Sequence, residues 1–230
     1  MNPTLRHEPA WRNKLIKARA GNANRWKAKK MYRVILADPP WRFGNRAYQD
    51  GGRPPIETDF HYPVMHTKDI CTLPVKNIAD ENAALFIWTT DAHLPDCLQV
   101  ISAWGFEYRT VAFVWVKRYS SGSPCVLVAP WTLKSTEICL LGIRGSPKRV
   151  AKNIRALVEA ERTKHSKKPD EVHQRIERMF GDVSRVELFA RSQRAGWDVF
   201  GNQVEGSIRL PTQRAGDTAT PSDNATVLHK

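Results

Sequence analysis

Residues 33–41 read RVILADPPW, and this stretch decides the class of fold. The apolar run over 33–38 has the length of a buried strand, and the two prolines directly after it stop strand pairing. In an open α/β sheet, ligands bind beyond the carboxyl ends of the strands. We therefore predict that Asp38 lies at the ligand-binding edge of such a sheet.

Other apolar segments extend this plan over most of the chain. Further strands are predicted at 83–89, 110–117, 136–143, 183–189 and 197–200. Residues 94–104 carry apolar side chains at helical spacing, and Pro169 and Gly181 mark the start and end of a second helix. Residues 154–161 alternate and are interpreted as a strand, although a helix also fits. Strands separated by helices or long crossovers predict an α/β fold, in which helices cover both faces of a mostly parallel sheet.

Changes in composition divide the chain into three parts. Residues 1–30 hold nine Lys or Arg and one acid, Glu8, so they are interpreted as a basic arm with a charge of +8. Residues 31–204 are predicted to form the folded domain, with a loop over 44–63 that is rich in Gly, Pro and Asn. Residues 205–230 are rich in Thr, Ser, Gly and Asn, which predicts a disordered tail.

The chain has a net charge of +13, from 36 Lys and Arg against 23 Asp and Glu. Such a surface attracts a polyanion, usually nucleic acid, although a basic face that only aids solubility fits the charge equally well. No apolar run approaches the ~18 residues of a membrane span, and the first residues lack the apolar core of a signal peptide. We therefore expect a cytoplasmic protein without membrane contact. The four cysteines are far apart and form no C-x-x-C pair, so neither a metal site nor a disulfide is expected.

The turn over 38–41 offers hydrogen-bond acceptors beside an aromatic ring. Proline has no N–H, so Asp38 and the Pro39 carbonyl present acceptors without a competing donor. Trp41 adds a flat aromatic face. Two acceptors next to a stacking surface suit an exocyclic amino group on a flat base, because such a group carries two N–H donors.

The tetrapeptide Asp38-Pro39-Pro40-Trp41 after a strand resembles the catalytic motif of amino-methyltransferases that use S-adenosyl-L-methionine. The resemblance is to the family of the mRNA N6-adenosine methyltransferase catalytic subunit, whose bacterial and phage members are expected to act on DNA adenine. It covers about residues 32–208. Supporting segments stand in the family's order: FHYPVM at 60–65, FIWT at 86–89, VWVK at 114–117, EICL at 137–140, KPDE at 168–171, ELFAR at 187–191 and GNQ at 201–203.

The resemblance implies a Rossmann-like methyltransferase fold with a permuted motif order, because the catalytic motif precedes the cofactor segments. The implied catalytic residues are Asp38, Pro39, Pro40 and Trp41. The implied substrate-binding residues are Tyr62, Trp88 and Lys117. The implied S-adenosyl-L-methionine-binding residues are Asp38, Lys168, Glu187, Arg191, Asn202 and Gln203. The chain departs from the pattern of other permuted DNA methyltransferases at 189–193, which read FARSQ where those enzymes have Phe-x-Gly-x-Gly.

Three functional hypotheses follow. The preferred one is an adenine-N6 methyltransferase acting on DNA, and the second is the same reaction on RNA. The third is a catalytically inactive, nucleic-acid-binding partner of such an enzyme, but partners of this kind typically have an altered tetrapeptide, whereas 38–41 is intact. The small size and the lack of RNA-binding modules favour a stand-alone microbial or phage enzyme on DNA. Monomer and dimer both remain open.

Deleting the basic arm, residues 1–30, should weaken nucleic-acid binding and flatten its salt dependence. Each lost phosphate contact lowers the slope of log K against log salt by about 0.9 on duplex DNA. Methyl transfer at saturating substrate should survive, because every family motif lies outside the arm. Affinity titrations at several salt concentrations measure the slope. The rival interpretation, in which Trp11 and Trp26 pack on the core, predicts early melting or an unchanged slope.

Overall fold

A computed structural model describes residues 30–42, 64–129, 131–163, 167–208 and 210. The predictions for the basic arm up to residue 29, for the 44–63 loop with Tyr62, and for most of the tail therefore fall outside the described residues. None of the helices in the described ranges is long and apolar enough to cross a membrane.

Within the described residues the chain forms one seven-stranded sheet in the order β5-β3-β4-β2-β1-β6-β7. The strands are β1 (Tyr32–Ala37), β2 (Ala79–Thr89), β3 (Glu107–Arg118), β4 (Thr136–Arg144), β5 (Leu157–Glu161), β6 (Arg185–Leu188) and β7 (Asp198–Phe200). β4 runs antiparallel to both of its neighbours, and the other four pairings are parallel. The predicted α/β fold with a mostly parallel sheet is confirmed.

Three α-helices accompany the sheet in the part of the chain that is described. They are α1 (Thr67–Cys71), α2 (Leu94–Ala103) and α3 (Asp170–Phe180). Pro169 precedes the first turn of α3, and Gly181 ends the helix with a φ of +68°, a conformation that favours glycine. Both signals for this helix are thus confirmed.

Helices cover both faces of the sheet, as predicted. Cys97, Val100 and Ile101 of α2 belong to one buried cluster, together with alternate residues of β1 such as Ile35. On the opposite face, Val172, Ile176 and Phe180 of α3 pack in a second cluster with Val34, Leu36 and Phe86. β1 is therefore buried on both faces, which explains why its sequence is apolar at almost every position.

The order of the strands explains how distant segments meet. β1 lies between β2 and β6, and Leu36 pairs with Glu187 while Ala37 pairs with Leu188. β1 and β6 are parallel, so their carboxyl ends lie at the same edge of the sheet. Asp38, in the first motif of the chain, therefore lies beside the segment around Glu187, which comes about 150 residues later in the sequence.

Two predictions are refined by the structure. The ambiguous segment over 154–161 is a strand, but only from Leu157 to Glu161. β4 is antiparallel because the chain returns from β3 through a hairpin over residues 119–135 instead of a helical crossover. The direction of β4 brings its first residues to the same edge as Asp38.

Gly201 follows β7 and approaches the backbone of Ala190 so closely that no side chain fits. A Cβ at this position would lie 2.0 Å from the Ala190 carbonyl oxygen. We expect Gly201→Ala to lower the free energy of unfolding by about 1–3 kcal/mol through overpacking. The control Gly206→Ala meets nothing closer than 3.4 Å and should cost much less. Urea unfolding compares the two variants, and equal stabilities would contradict this account.

Candidate active site

Asp38 is the first residue after β1, and the two prolines turn the chain at the sheet edge. Its N–H donates to the Leu188 carbonyl at 3.4 Å. The Pro39 carbonyl accepts the Trp41 N–H at 2.9 Å, and the Pro40 carbonyl accepts the Met65 N–H at 2.8 Å. The Pro39 carbonyl keeps one lone pair for a second donor, since a carbonyl oxygen has two.

The Asp38 carboxylate belongs to a chain of four charged side chains. The Lys168 ammonium lies 2.9 Å from Asp38 and 3.2 Å from Glu137. Glu137 also forms an ion pair with Lys117. Two cations thus alternate with two anions, and all four side chains are largely shielded from solvent. The Lys168 ammonium also lies 5.6 Å from the centre of the Trp88 ring, within cation–π distance.

The arrangement shifts the pKa values of its members in opposite directions. Burial raises the pKa of the Asp38 carboxyl, and Lys168 offsets only part of that rise. Burial also acts to raise the pKa of Glu137, but Lys168 and Lys117 together hold it below its ordinary value. Burial acts to lower the pKa of Lys168, but the two carboxylates hold it above its ordinary value. Lys168 therefore keeps its proton, whereas burial favours the neutral form of Asp38.

A cavity of about 260 Å³ opens beside Asp38. Four residues predicted to bind the cofactor meet in its wall, namely Asp38, Lys168, Glu187 and Arg191. The other lining residues are Lys167, Asp170, His173, Phe189, Ser192, Gln193 and Arg194. Phe189 adopts a φ of +62°, which is uncommon for an aromatic residue, and strained residues of this kind cluster at functional sites.

Asn202 and Gln203 lie outside the cavity wall that the other predicted cofactor residues share. Both are exposed, and neither lines the cavity. The structure therefore brings together four of the six residues that the resemblance assigns to the cofactor. The cofactor roles of all six remain predictions.

The lining of the cavity fits S-adenosyl-L-methionine in chemical character. That molecule carries a carboxylate, an ammonium group, two ribose hydroxyls and an adenine ring. Glu187 offers acceptors for hydroxyl groups, and Arg191 and Lys168 offer positive charge for a carboxylate. Phe189 offers an apolar ring, and Asp38 offers an anion for an ammonium group.

Trp41 and the two described substrate-binding candidates are largely buried. Trp41 is 8 % exposed, its ring stacks on His93, and its indole N–H donates to the Trp88 carbonyl at 2.9 Å. Trp88 is 1 % exposed, and Lys117 is buried in its ion pair with Glu137. In this conformation these three side chains are packed inside the protein next to the site. Their direct contact with substrate stays a prediction.

Sequence reasoning missed two residues that the structure places at the site. Glu137 was noted only as part of a strand motif, and its charge within an apolar strand was the available signal. Its position became clear only with the antiparallel direction of β4. His173 donates from Nε2 to Glu187 at 2.9 Å, and its Nδ1 has no hydrogen-bond partner among the described residues. Its signal was a polar residue on the buried face of α3, next to Val172 and Ile176.

Comparison with known proteins matches residues 32–203 to the MT-A70 family. The chain belongs to the MT-A70 family. It is 34 % identical to the Type II methyltransferase M.MunI of Mycoplasma sp. over 200 residues, which cover 80 % of this chain and 83 % of that relative.

The eukaryotic relatives of the family are longer proteins. The chain is 31 % identical to an N(6)-adenosine-methyltransferase MT-A70-like protein of Arabidopsis thaliana over 182 residues, 77 % of this chain and 24 % of the relative. It is 26 % identical to the N(6)-adenosine-methyltransferase catalytic subunit METTL3 of Homo sapiens over 180 residues, 76 % of this chain and 28 % of the relative. The chain thus spans about a quarter of the length of these two proteins.

Membership of the MT-A70 family confirms the main predictions from the sequence. The fold is that of S-adenosyl-L-methionine-dependent methyltransferases, and the protein is an adenine-N6 methyltransferase that uses this cofactor. That residues 38–41 and the cavity beside them carry this chemistry remains a prediction.

Lys168→Met should move the acid limb of the methyl-transfer rate profile to higher pH. Asp38 presents acceptors alone only when it is ionised, burial already raises its pKa, and the variant removes the cation that opposes this rise. An opposite charge at this distance changes a carboxyl pKa by about 1–3 units, so a displacement of that size is expected.

Lys148→Met is the matched control, since Lys148 is exposed and follows β4 at the opposite edge of the sheet. Rates at saturating substrate from pH 5 to 9 measure both profiles. A Lys168→Met profile that superimposes on the native one would show that Lys168 does not govern Asp38.

Proposed function

We propose that this protein methylates the N6 amino group of adenine in DNA, with Asp38 as the group that orients and activates the amine. The observation that carries the proposal is the position of the Asp38 carboxylate at the wall of the cavity, directly followed by two prolines. A target base that approaches this edge meets an anion and a carbonyl, with no proline N–H to compete.

Asp38 and the Pro39 carbonyl accept the two N–H bonds of the adenine amino group. The lone pair of N6 is delocalised into the ring, so the free amine is a poor nucleophile. Two fixed acceptors favour a pyramidal nitrogen whose lone pair points away from them and into the cavity. Both oxygens of Asp38 contact Lys168, yet each retains a lone pair for the amine.

Asp38 also stabilises the charge that appears on N6. S-adenosyl-L-methionine, when bound, supplies a methyl group on a positively charged sulfur. Transfer of that methyl group would place positive charge on N6, and the Asp38 carboxylate beside the amine would stabilise that charge. The methylated nitrogen is strongly acidic and releases its extra proton to water or to Asp38, so a strong base is not required.

The cofactor roles in this proposal follow the lining of the cavity. Glu187 accepts the ribose hydroxyls and is oriented by the hydrogen bond from His173. Arg191 attracts the carboxylate of the cofactor. Asn202 and Gln203 do not line the cavity, so the geometry gives their cofactor roles no support.

DNA is the proposed substrate because the chain matches M.MunI along most of the length of that relative. That relative is named a Type II methyltransferase, a class that modifies DNA, and 83 % of it is covered by this chain. The net charge of +13 suits either nucleic acid and supports binding to a polyanion only in general. The names of the longer eukaryotic relatives support the alternative, adenosine in RNA.

Asp38→Asn should reduce methyl transfer at least about a hundredfold, the cost of losing one preorganised electrostatic contact. The amide places a donor where an acceptor is needed. Asp182→Asn is the matched control, because the side chain of Asp182 is fully exposed. The purified proteins are incubated with S-adenosyl-L-methionine and with DNA or RNA of the same sequence, and N6-methyladenine is measured by mass spectrometry of nucleosides.

The experiment separates the hypotheses by product. Methylated deoxyadenosine with the native protein and its loss in Asp38→Asn are the expected results. Methylation of RNA alone would replace the proposed substrate with the alternative. Equal rates for Asp38→Asn and Asp182→Asn would remove Asp38 from the mechanism, and no methylation of either nucleic acid would indicate the inactive partner.

A further inference from the structure

The described residues between β3 and β4 form a hairpin whose outer end is apolar. The backbones of Leu127 and Lys134 exchange two hydrogen bonds, at 2.9 and 2.8 Å. Closer to the sheet, the Lys117 carbonyl accepts the Cys125 N–H, and the Ser135 carbonyl accepts the Lys117 N–H. We call the residues Val128, Trp131 and Leu133, beyond the outermost pair of bonds, the hairpin tip.

The three side chains of the hairpin tip are far more exposed than folding requires. Val128 is 92 %, Trp131 84 % and Leu133 64 % exposed. Single exposed apolar residues are ordinary, but three within six positions at the end of one hairpin make its surface unusually apolar. Such a surface marks an interaction site, because an enzyme gains nothing in stability from holding an indole in water.

The hairpin tip stands at the active-site edge of the sheet. β3 and β1 point in the same direction, since β3 is antiparallel to β4, β4 is antiparallel to β2, and β2 is parallel to β1. The hairpin leaves the carboxyl end of β3, and Asp38 follows the carboxyl end of β1. Three strand spacings separate the two strands, or about 14 Å.

Two ion pairs fasten the hairpin to the active site. At its base, Lys117 pairs with Glu137, which shares Lys168 with Asp38. Near its tip, Lys134 pairs with Asp91. Asp91 begins the turn that carries His93, the residue on which the Trp41 ring of the catalytic motif stacks. The hairpin is therefore joined at its base to the buried ion network and, near its tip, through an exposed ion pair to the turn that contacts Trp41.

We propose that the hairpin tip contacts the base pairs that flank the target adenine in duplex DNA and stacks on the bases exposed when that adenine leaves the helix. This inference rests on the proposed function, because the N6 group of a stacked, paired adenine cannot reach Asp38 unless the base leaves the duplex. Apolar side chains that enter a base step are a known means of holding an opened duplex.

Trp131→Ala should weaken binding of duplex DNA by about tenfold to a hundredfold, the range found when one base–aromatic stack is lost. Trp131→Phe should retain most of the affinity, because it keeps an aromatic face. Tyr108→Ala is the matched control, since Tyr108 is an exposed aromatic residue near the start of β3. It lies about 30 Å from Arg118, the residue at which β3 ends and the hairpin begins. Binding is measured by fluorescence anisotropy with one labelled oligonucleotide, single-stranded and as a duplex.

The proposal is tested by comparing the effect of Trp131→Ala on duplex and on single-stranded DNA. A loss in Trp131→Ala that is confined to the duplex, in binding and in methyl transfer, supports the proposal. Native affinity for the duplex, or an equal loss on both forms of DNA, would overturn it. A lower molar mass of Trp131→Ala in light scattering would also overturn it, since the tip would then contact a second copy of the chain.

The binding measurement keeps this inference separate from the proposed function. If the native protein methylates no DNA, the proposed function fails, and the duplex-specific loss of affinity in Trp131→Ala still reports whether the tip touches the duplex. If the native protein methylates DNA and Trp131→Ala matches it on both forms, only the role of the tip fails.

Discussion

The ammonium of Lys168, held between the carboxylates of Asp38 and Glu137, is the interaction on which the rest of the site depends. Removing a charged group from water costs several kcal/mol for each ion, so a buried lysine persists only where anions surround it. Here two carboxylates supply that compensation, and Lys117 compensates the second of them. The segment before α3 and the ends of three strands, β1, β3 and β4, must therefore converge at one edge.

Strand order makes this convergence feasible. β1 lies beside β6, so the acceptor turn over 38–41 and the predicted cofactor residues around Glu187 share an edge although they are far apart in the sequence. β4 runs against its neighbours and delivers Glu137 to the same edge. The same reversal creates the hairpin that carries Trp131. One topological feature thus supplies both a member of the buried ion network and an exposed surface beside the site.

Sequence reasoning reached those parts of this arrangement that depend on local pattern. The apolar run before Asp38, the helix bounded by Pro169 and Gly181, and the acceptor turn follow from short-range rules of backbone and hydrogen bonding. The direction of β4 does not, because hairpin and crossover connections can both link two apolar strands. Glu137 and His173 were missed because local pattern does not show what a single polar residue contacts. Each is a polar residue in an apolar pattern, and only its tertiary partner reveals its use.

The central claim is that the cavity beside Asp38 holds the methyl donor with its reactive end toward the acceptor turn. A crystal structure of the protein with S-adenosyl-L-homocysteine, the product left after methyl transfer, tests this most directly. The account predicts ribose hydroxyls within hydrogen-bonding distance of Glu187, about 2.6–3.2 Å, and the sulfur facing residues 38–41 from inside the cavity. Ligand bound elsewhere on the sheet, or bound here with its sulfur turned away from Asp38, would contradict it.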